Sequence, residues 1–197
     1  ITETKMHING CVGADHRFEA FGAKYELPNN AYLETCAGVG LIFFALEHFR
    51  YTHDASVFDI IENTYYNTVL ASVSEQGDTY FYQNPLISDG THVRWAWHDC
   101  PCCPPMYFKA LGILPQLIYT VSDGTIRVNL DIESTLRQPD FTLTYQGGAL
   151  TLTSDQPQAR RVLFRIPHSA RNFRLTSQGA QIPFTTEQGY AAIDMTP

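Results

Sequence analysis

Trp97-His98-Asp99-Cys100-Pro101-Cys102-Cys103-Pro104-Pro105 is the stretch on which the reading of this 197-residue chain turns. Three thiols within four residues are rarely just packing. Neighbouring cysteines do not readily bond to each other, because an eight-membered ring strains the peptide geometry. A disulfide framework would also spread cysteines through the chain, whereas Cys11, Cys36 and these three all lie in the first 103 residues. Metal binding is the better physical account: thiolates are soft donors suited to Zn²⁺, which takes four ligands in a tetrahedron. Cys102 and Cys103 supply two. Cys36 is the natural third, with Glu34 two residues before it. Positions i and i+2 of a regular helix point about 200° apart, so this pair converges on one ion only if the chain is not yet helical at Glu34. Asn29-Asn30 upstream offers a helix start, with Glu34 in a loop or distorted first turn. The alternative is an acidic first-turn residue beside a buried small thiol, and spacing alone leaves the two readings open.

Outward from this stretch the pattern is helical. Pro104-Pro105 suits a first helical turn, and the helix is expected to run to about Leu114 and stop at Pro115. Residues 31–52 are apolar nearly all round, the pattern of a helix buried inside a larger assembly. In residues 56–72, Val57, Ile60, Ile61, Tyr65 and Val69 keep to one helical face. Beyond about residue 118 the period changes to two. Ile126, Val128, Leu130 and Ile132 alternate with polar residues over Thr125–Ile132, as do residues 141–145 and 150–153, with Gln146-Gly147-Gly148 as a hairpin turn between the last two. Val162–Ile166, Phe173–Thr176 and Tyr190–Ile193 are shorter candidates, and together they suggest a β-sandwich or barrel module.

Composition narrows the partners. Lys plus Arg is 13 against 20 for Asp plus Glu, a net charge of −7, which repels phosphates and argues against nucleic acid. Charged residues are 17% and aromatics 13%, too apolar for a disordered chain. The longest near-apolar run, Ala37 to Leu46, is far short of the ~20 residues that span a bilayer, so no membrane is expected. The chain opens on Ile1 and closes on Pro197, and both ends read as cut from a longer protein.

Several runs in register resemble one family. Glu19-Ala20-Phe21-Gly22, Tyr25-Glu26-Leu27-Pro28-Asn29 and Tyr32-Leu33-Glu34-Thr35-Cys36-Ala37 are similar to the bacterial β-L-arabinofuranosidases of glycoside hydrolase family 127 and close relatives. Asp59-Ile60-Ile61-Glu62 with Tyr66-Asn67, the Tyr80-Phe81-Tyr82-Gln83-Asn84-Pro85-Leu86 segment and the double-cysteine stretch continue the likeness. Val128-Asn129-Leu130 and Phe164-Arg165-Ile166-Pro167 echo it further on. The resemblance implies a multi-domain α plus β chain: residues 1–117 as the C-terminal part of an (α/α)6-barrel catalytic domain, residues 118–197 as an antiparallel β-sandwich.

The resemblance also implies roles. Zn²⁺ would be held by Glu34, Cys36, Cys102 and Cys103, with Cys102 as nucleophile and Glu19 as general acid/base of a retaining glycosidase acting on a carbohydrate substrate. His16, Tyr82 and Trp97 are candidates for substrate contact, although an alternating aromatic run is also the pattern of a core strand. Cys100 is then an extra thiol, and His98 a hydrogen-bonded core histidine or an outer partner of the site. The chain departs from the family at Met106 and Lys109, where Asn and Arg are usual, at Asn9-Gly10-Cys11 in place of Gly-Gly, and in a Glu19–Glu34 gap one residue short. The competing readings are a structural zinc site in a non-catalytic carbohydrate-binding protein, a sugar-binding β module with a helical remnant, and a redox switch of the same thiols. Reduced functional thiols favour the cytoplasm. Oligomeric state is not encoded in any pattern here. A full twelve-helix toroid needs about 200 residues, so a chain with about three helices of it is expected to be inactive alone.

Overall fold

The computed structural model describes residues 1–197. The chain forms two compact units, Ile1–Thr52 with Asp59–Ile113, and His53–Phe58 with Leu114–Pro197. Three α-helices, α1 (Thr35–Thr52), α2 (Val57–Thr64) and α3 (Cys103–Ile118), are followed by ten strands.

Helix α1 starts four residues later than its apolar run, and Asn29-Asn30 do not start it. Leu33 blocks an earlier start. It is fully buried with φ +46°, a left-handed conformation that a right-handed helix cannot include. Its N–H donates to the Gly13 carbonyl (2.8 Å) and its carbonyl accepts from Asn84 N–H (3.1 Å). Once free of that constraint the chain winds up, and Ala37 N–H returns to the Glu34 carbonyl (3.0 Å). One face, including Val39, Ile42, Leu46 and Phe49, is buried, while Phe44 and Tyr51 on the other sides stand exposed. Gly38 allows close packing: a Cβ there would sit 2.8 Å from Thr68 Cγ2.

The expected helix over 56–72 begins as α2 but widens into a π-helical turn at Tyr65–Leu70. The extra residue rotates the face, so Thr64, Tyr65, Thr68 and Val69 are all buried. Both threonines reach the N-terminal segment: Thr64 Oγ1 donates to the Gly10 carbonyl and Thr68 Oγ1 to that of Asn9, each at 2.8 Å. Gly10 has φ +81°, and a Cβ there would lie 2.6 Å from the Thr64 backbone. Gly10→Ala is therefore expected to cost about 2–4 kcal/mol, since overlap and left-handed strain add; denaturant unfolding of the variant checks this.

Helix α3 opens at Cys103 and does not stop at Pro115, which lies inside it. Proline removes one amide donor, but so near the end of the helix the loss is confined to the last turn. The aromatic run Tyr80–Tyr82 and the Trp95–Trp97 segment do not form strands. They make isolated bridges, Val73↔Tyr80 and Tyr80↔Trp95.

In the second unit, β1 (Tyr119–Ser122), β2 (Thr125–Val128), β6 (Arg160–Arg165), β10 (Tyr190–Met195) and β9 (Thr185–Glu187) make a sheet ordered β1-β2-β6-β10-β9. β3 (Ser134–Arg137), β4 (Thr142–Gln146) and β5 (Ala149–Thr153) make a second sheet, and β7 (Leu175–Ser177) pairs with β8 (Ala180–Ile182). Gly147 and Gly148, both at positive φ, form the two-residue turn between β4 and β5. Leu143 and Leu152 face each other across that hairpin and are buried. The sheets are antiparallel except at one place: β2 and β6 run parallel, because the chain leaves β2, builds β3–β5 and returns. The strand expected over Thr125–Ile132 ends at Val128. Asn129 turns its N–H to the Ile118 carbonyl (2.8 Å) and buries its amide between Thr120 Oγ1 (2.6 Å) and the Tyr190 hydroxyl (2.7 Å).

Candidate metal centre and active site

The left-handed turn at Leu33 places the Glu34 carboxyl outside any helix, and α1 then begins with Thr35 and Cys36. Two features hold this turn. Asn84 donates its side-chain amide to the Leu33 carbonyl and to Thr35 Oγ1, both at 2.9 Å. Thr35 Oγ1 in turn donates to the Phe81 carbonyl (2.7 Å), and Thr35 N–H to that of Tyr82 (3.0 Å). Below it the buried Cys11 thiol donates to the Glu34 carbonyl (3.4 Å). Burial pushes the Cys11 thiol up to about 12, so it stays a neutral packing group.

Cys102 and Cys103, at the start of α3, meet Glu34 and Cys36 across this turn. The four donor atoms all lie within 4.8 Å of one another. Cys36 Sγ is 3.6 Å from Cys103 Sγ, and Cys102 Sγ is 3.8 Å from Cys103 Sγ. These are far longer than the ~2.05 Å of a disulfide, and all five cysteines are free thiols. Four sulfur donors at ~2.3 Å around a tetrahedral Zn²⁺ would be about 3.8 Å apart, so the observed edges fit the ion. Cys102 Sγ also lies 3.0 Å from Glu34 Oε1, the edge that a protonated thiol makes with a carboxylate. Glu34 is only 6% exposed and Cys103 only 2%; a buried carboxylate among thiols is a donor set that a divalent cation satisfies.

Tyrosines flank the cluster. Tyr32 donates its hydroxyl to Glu34 Oε2 (3.1 Å), and the Tyr82 hydroxyl is 3.1 Å from Cys102 Sγ. Tyr82 packs against Trp95 and His98, and the His98 ring stacks on Trp95 at 4.9 Å. Desolvation, then the bond to Glu34, push the Cys102 thiol up to about 12. Desolvation and its thiol neighbours raise Tyr82 well above the ordinary phenol range. Without a cation, then, Cys102 holds its proton at neutral pH. A metal must displace the thiol protons, so loading is expected to weaken steeply as pH falls, releasing up to about three protons per ion. Zinc titrations of the full-length protein between pH 6 and 8 measure that slope; a pH-independent affinity would contradict it.

The other sequence candidates lie further out. Glu19 is exposed in a short 3₁₀ turn at Arg17–Glu19, where Phe18 and Glu19 are both left-handed (φ +59° and +52°). Burial and Glu34, with a smaller contribution from Glu19, keep the Tyr32 phenol protonated. His16 is exposed beside Asp15, and neither joins the four donors. Trp97 is 68% exposed and lines, with Tyr107 and Phe108, a cleft of about 450 Å³ that reaches Cys103. Sequence reasoning passed over Tyr32 and the anchoring role of Asn84. The only signal for either was its place within the quoted runs.

The cluster of three cysteines and a glutamate thus sits between the starts of α1 and α3 in a mixed α plus β chain. A solved structure described as a glycoside hydrolase superposes with a TM-score of 0.85 at 27% identity, over 98% of this chain and 38% of that one. The family model that matches residues 1–115 is the β-L-arabinofuranosidase GH127 catalytic domain, and the chain belongs to that family. It is similar to a GH127 β-arabinofuranosidase structure (TM-score 0.88, 30% identity, 98% of this chain and 35% of that one). It is similar also to a GH127 β-L-arabinofuranosidase from Geobacillus stearothermophilus T6 (TM-score 0.86, 26% identity, 99% and 35%). A non-reducing end β-L-arabinofuranosidase of Bifidobacterium longum is 32% identical over 136 residues, 63% of this chain and 21% of that protein. The chain thus spans about a fifth of that curated relative and about a third of the solved structures. No helix is long and apolar enough to cross a membrane.

Proposed function

We propose that the chain carries the metal centre and both reacting groups of a retaining glycosidase that releases β-L-arabinofuranose, or a closely related sugar, from plant-type glycans. The observation that supports this most is the meeting of Glu34, Cys36, Cys102 and Cys103 at zinc-like spacing in a GH127 chain. Residues 1–117 would close an (α/α)6 barrel and residues 118–197 would form the following β-sandwich. The exposed Phe18, Phe44, Tyr51 and Phe108 are surfaces for the rest of such a barrel.

Glu34, Cys36, Cys102 and Cys103 would hold Zn²⁺, which when bound would keep the Cys102 sulfur ionised at neutral pH. Cys102 is the one of the three cysteines whose sulfur also touches a phenol, Tyr82; that hydroxyl holds the sulfur's direction. Cys102 attacks the anomeric carbon while Glu19, in its acid form, gives its proton to the departing oxygen. The carbon–oxygen bond breaks and a thioglycosyl bond forms. Glu19, now a carboxylate, takes a proton from water as the water oxygen displaces the sulfur, and two inversions leave net retention. Glu19 is exposed beside Phe18 in a left-handed turn, which leaves its carboxyl open to a substrate.

Glu19→Gln in the full-length protein tests this. General acid–base catalysis contributes about 10²–10⁴-fold, so hydrolysis of a poor leaving group is expected to fall by that much. An activated aryl glycoside should still complete the first step, with turnover restored by added azide. Wild-type activity in the variant would overturn the assignment.

A further inference from the structure

Cys11 and Cys100 are the two cysteines that the metal cluster leaves out, and Cys11 is buried. Cys100 is exposed, and three observations direct it toward Cys102. First, Cys102 N–H donates to the Cys100 carbonyl (3.0 Å), which closes a three-residue turn centred on Pro101. The ring of proline fixes φ near the value this turn needs. Two Cα–Cα steps of about 3.8 Å folded in this way span about 5–6 Å, inside the window of about 4.4–6.8 Å for a disulfide. Second, Cys102 is itself partly exposed, so a thiol two residues away on an exposed loop can approach its sulfur. Third, Cys100 N–H donates to His98 Nδ1 (3.1 Å), and His98 is stacked on Trp95, so the loop is fixed on that side.

We propose that Cys100 is a resolving thiol: when a hydroperoxide oxidises Cys102, Cys100 captures it as a reversible disulfide. This rests on Cys102 being the reactive sulfur of the site. The peroxide O–O bond is cleaved as Cys102 becomes a sulfenic acid, and water or an alcohol leaves. The Cys100 sulfur then attacks the Cys102 sulfur, the S–O bond breaks, and water leaves with the Cys100 proton. The two thiols lose two hydrogens and two electrons in all, and the peroxide is reduced. The other thiols do not serve as well. Cys103 is adjacent to Cys102, where the ring is strained, and it is 2% exposed. Cys36 and Cys103 face each other within the donor set. The disulfide would take Cys102 out of that set and protect it from over-oxidation until a thiol reductant restores it.

The test treats zinc-loaded full-length protein with graded hydrogen peroxide, traps remaining thiols by alkylation and maps peptides without reduction. The peptide holding Cys100 and Cys102 is expected to appear two hydrogens lighter, with neither thiol alkylated, and dithiothreitol is expected to return both. In Cys100→Ser the same dose should drive Cys102 to sulfinic acid that dithiothreitol does not reverse. The idea is overturned if the parent protein gives the same sulfinic Cys102, if Cys100 stays alkylatable while Cys102 is oxidised, or if neither reacts. Labelling of Cys102 by a mechanism-based sugar in the reduced protein tests the nucleophile separately, so failure of one reading leaves the other to be judged on its own data.

Discussion

Cys102→Ala in the full-length protein is expected to abolish turnover, by about 10⁴-fold or more, the scale on which loss of a nucleophile acts. Cys103 is buried and Cys36 sits at the start of α1, while Cys102 is partly exposed with Tyr82 and Glu34 around its sulfur. On the proposed mechanism, replacing Cys102 removes both a donor to the cluster and the attacking atom. Cys103→Ala removes a donor alone, and so separates the two roles. The account expects Cys103→Ala to lose metal first and activity in proportion to it. Cys102→Ala should stay inactive even at zinc concentrations that fill the site. Activity that returns with zinc in Cys102→Ala would assign the sulfur a purely structural part.

The second large effect concerns the cluster itself. Glu34→Ala and Cys36→Ala are expected to lower zinc affinity by more than the ~10–100-fold that loss of an outer partner costs, since each removes a direct donor. Both should also lower Tm, because a bound metal would join the start of α1 to the start of α3. Without a cation, Glu34 remains 6% exposed beside thiols, a poor place for a carboxylate. The check is metal content by mass spectrometry alongside a thermal melt, with and without chelator. Full zinc occupancy in Glu34→Ala would show that the carboxylate is not a donor.

The sequence reading reached different depths in different places. The double-cysteine stretch was legible because three thiols within four residues are unusual, whereas Glu34 and Cys36 were left open by their spacing and singled out by the family likeness. The helices α1 and α2 were legible as well, α2 because burial of one face leaves a 3.6-residue trace and α1 because its run is apolar nearly all round. What it missed has a physical cause in each case. The start of α1 depends on a positive φ at Leu33 that tertiary hydrogen bonds from Gly13 and Asn84 impose, and no propensity marks a leucine for that. The π turn at Tyr65–Leu70 shifts the buried face by a residue that periodicity cannot see. Pro115 inside α3 breaks a rule that holds less strictly in a last turn. Strands of three or four residues, such as β1, β3, β8 and β9, are too short for alternation to stand out, and the parallel β2–β6 pair is decided by the path of the chain. Glu19 is the opposite case: nothing in its own neighbourhood distinguishes it from a solvated carboxylate, and only the family likeness singles it out.

The central claim is that Cys102 forms a bond to the sugar. A mechanism-based β-L-arabinofuranoside analogue, one that traps the covalent intermediate, tests it most directly in full-length protein digested and mapped by mass spectrometry. The account predicts one sugar equivalent on Cys102, lost in Cys102→Ala and slowed in Glu19→Gln. A label on Glu34, Glu19 or another cysteine, or no covalent adduct with an analogue that the enzyme turns over, would contradict it.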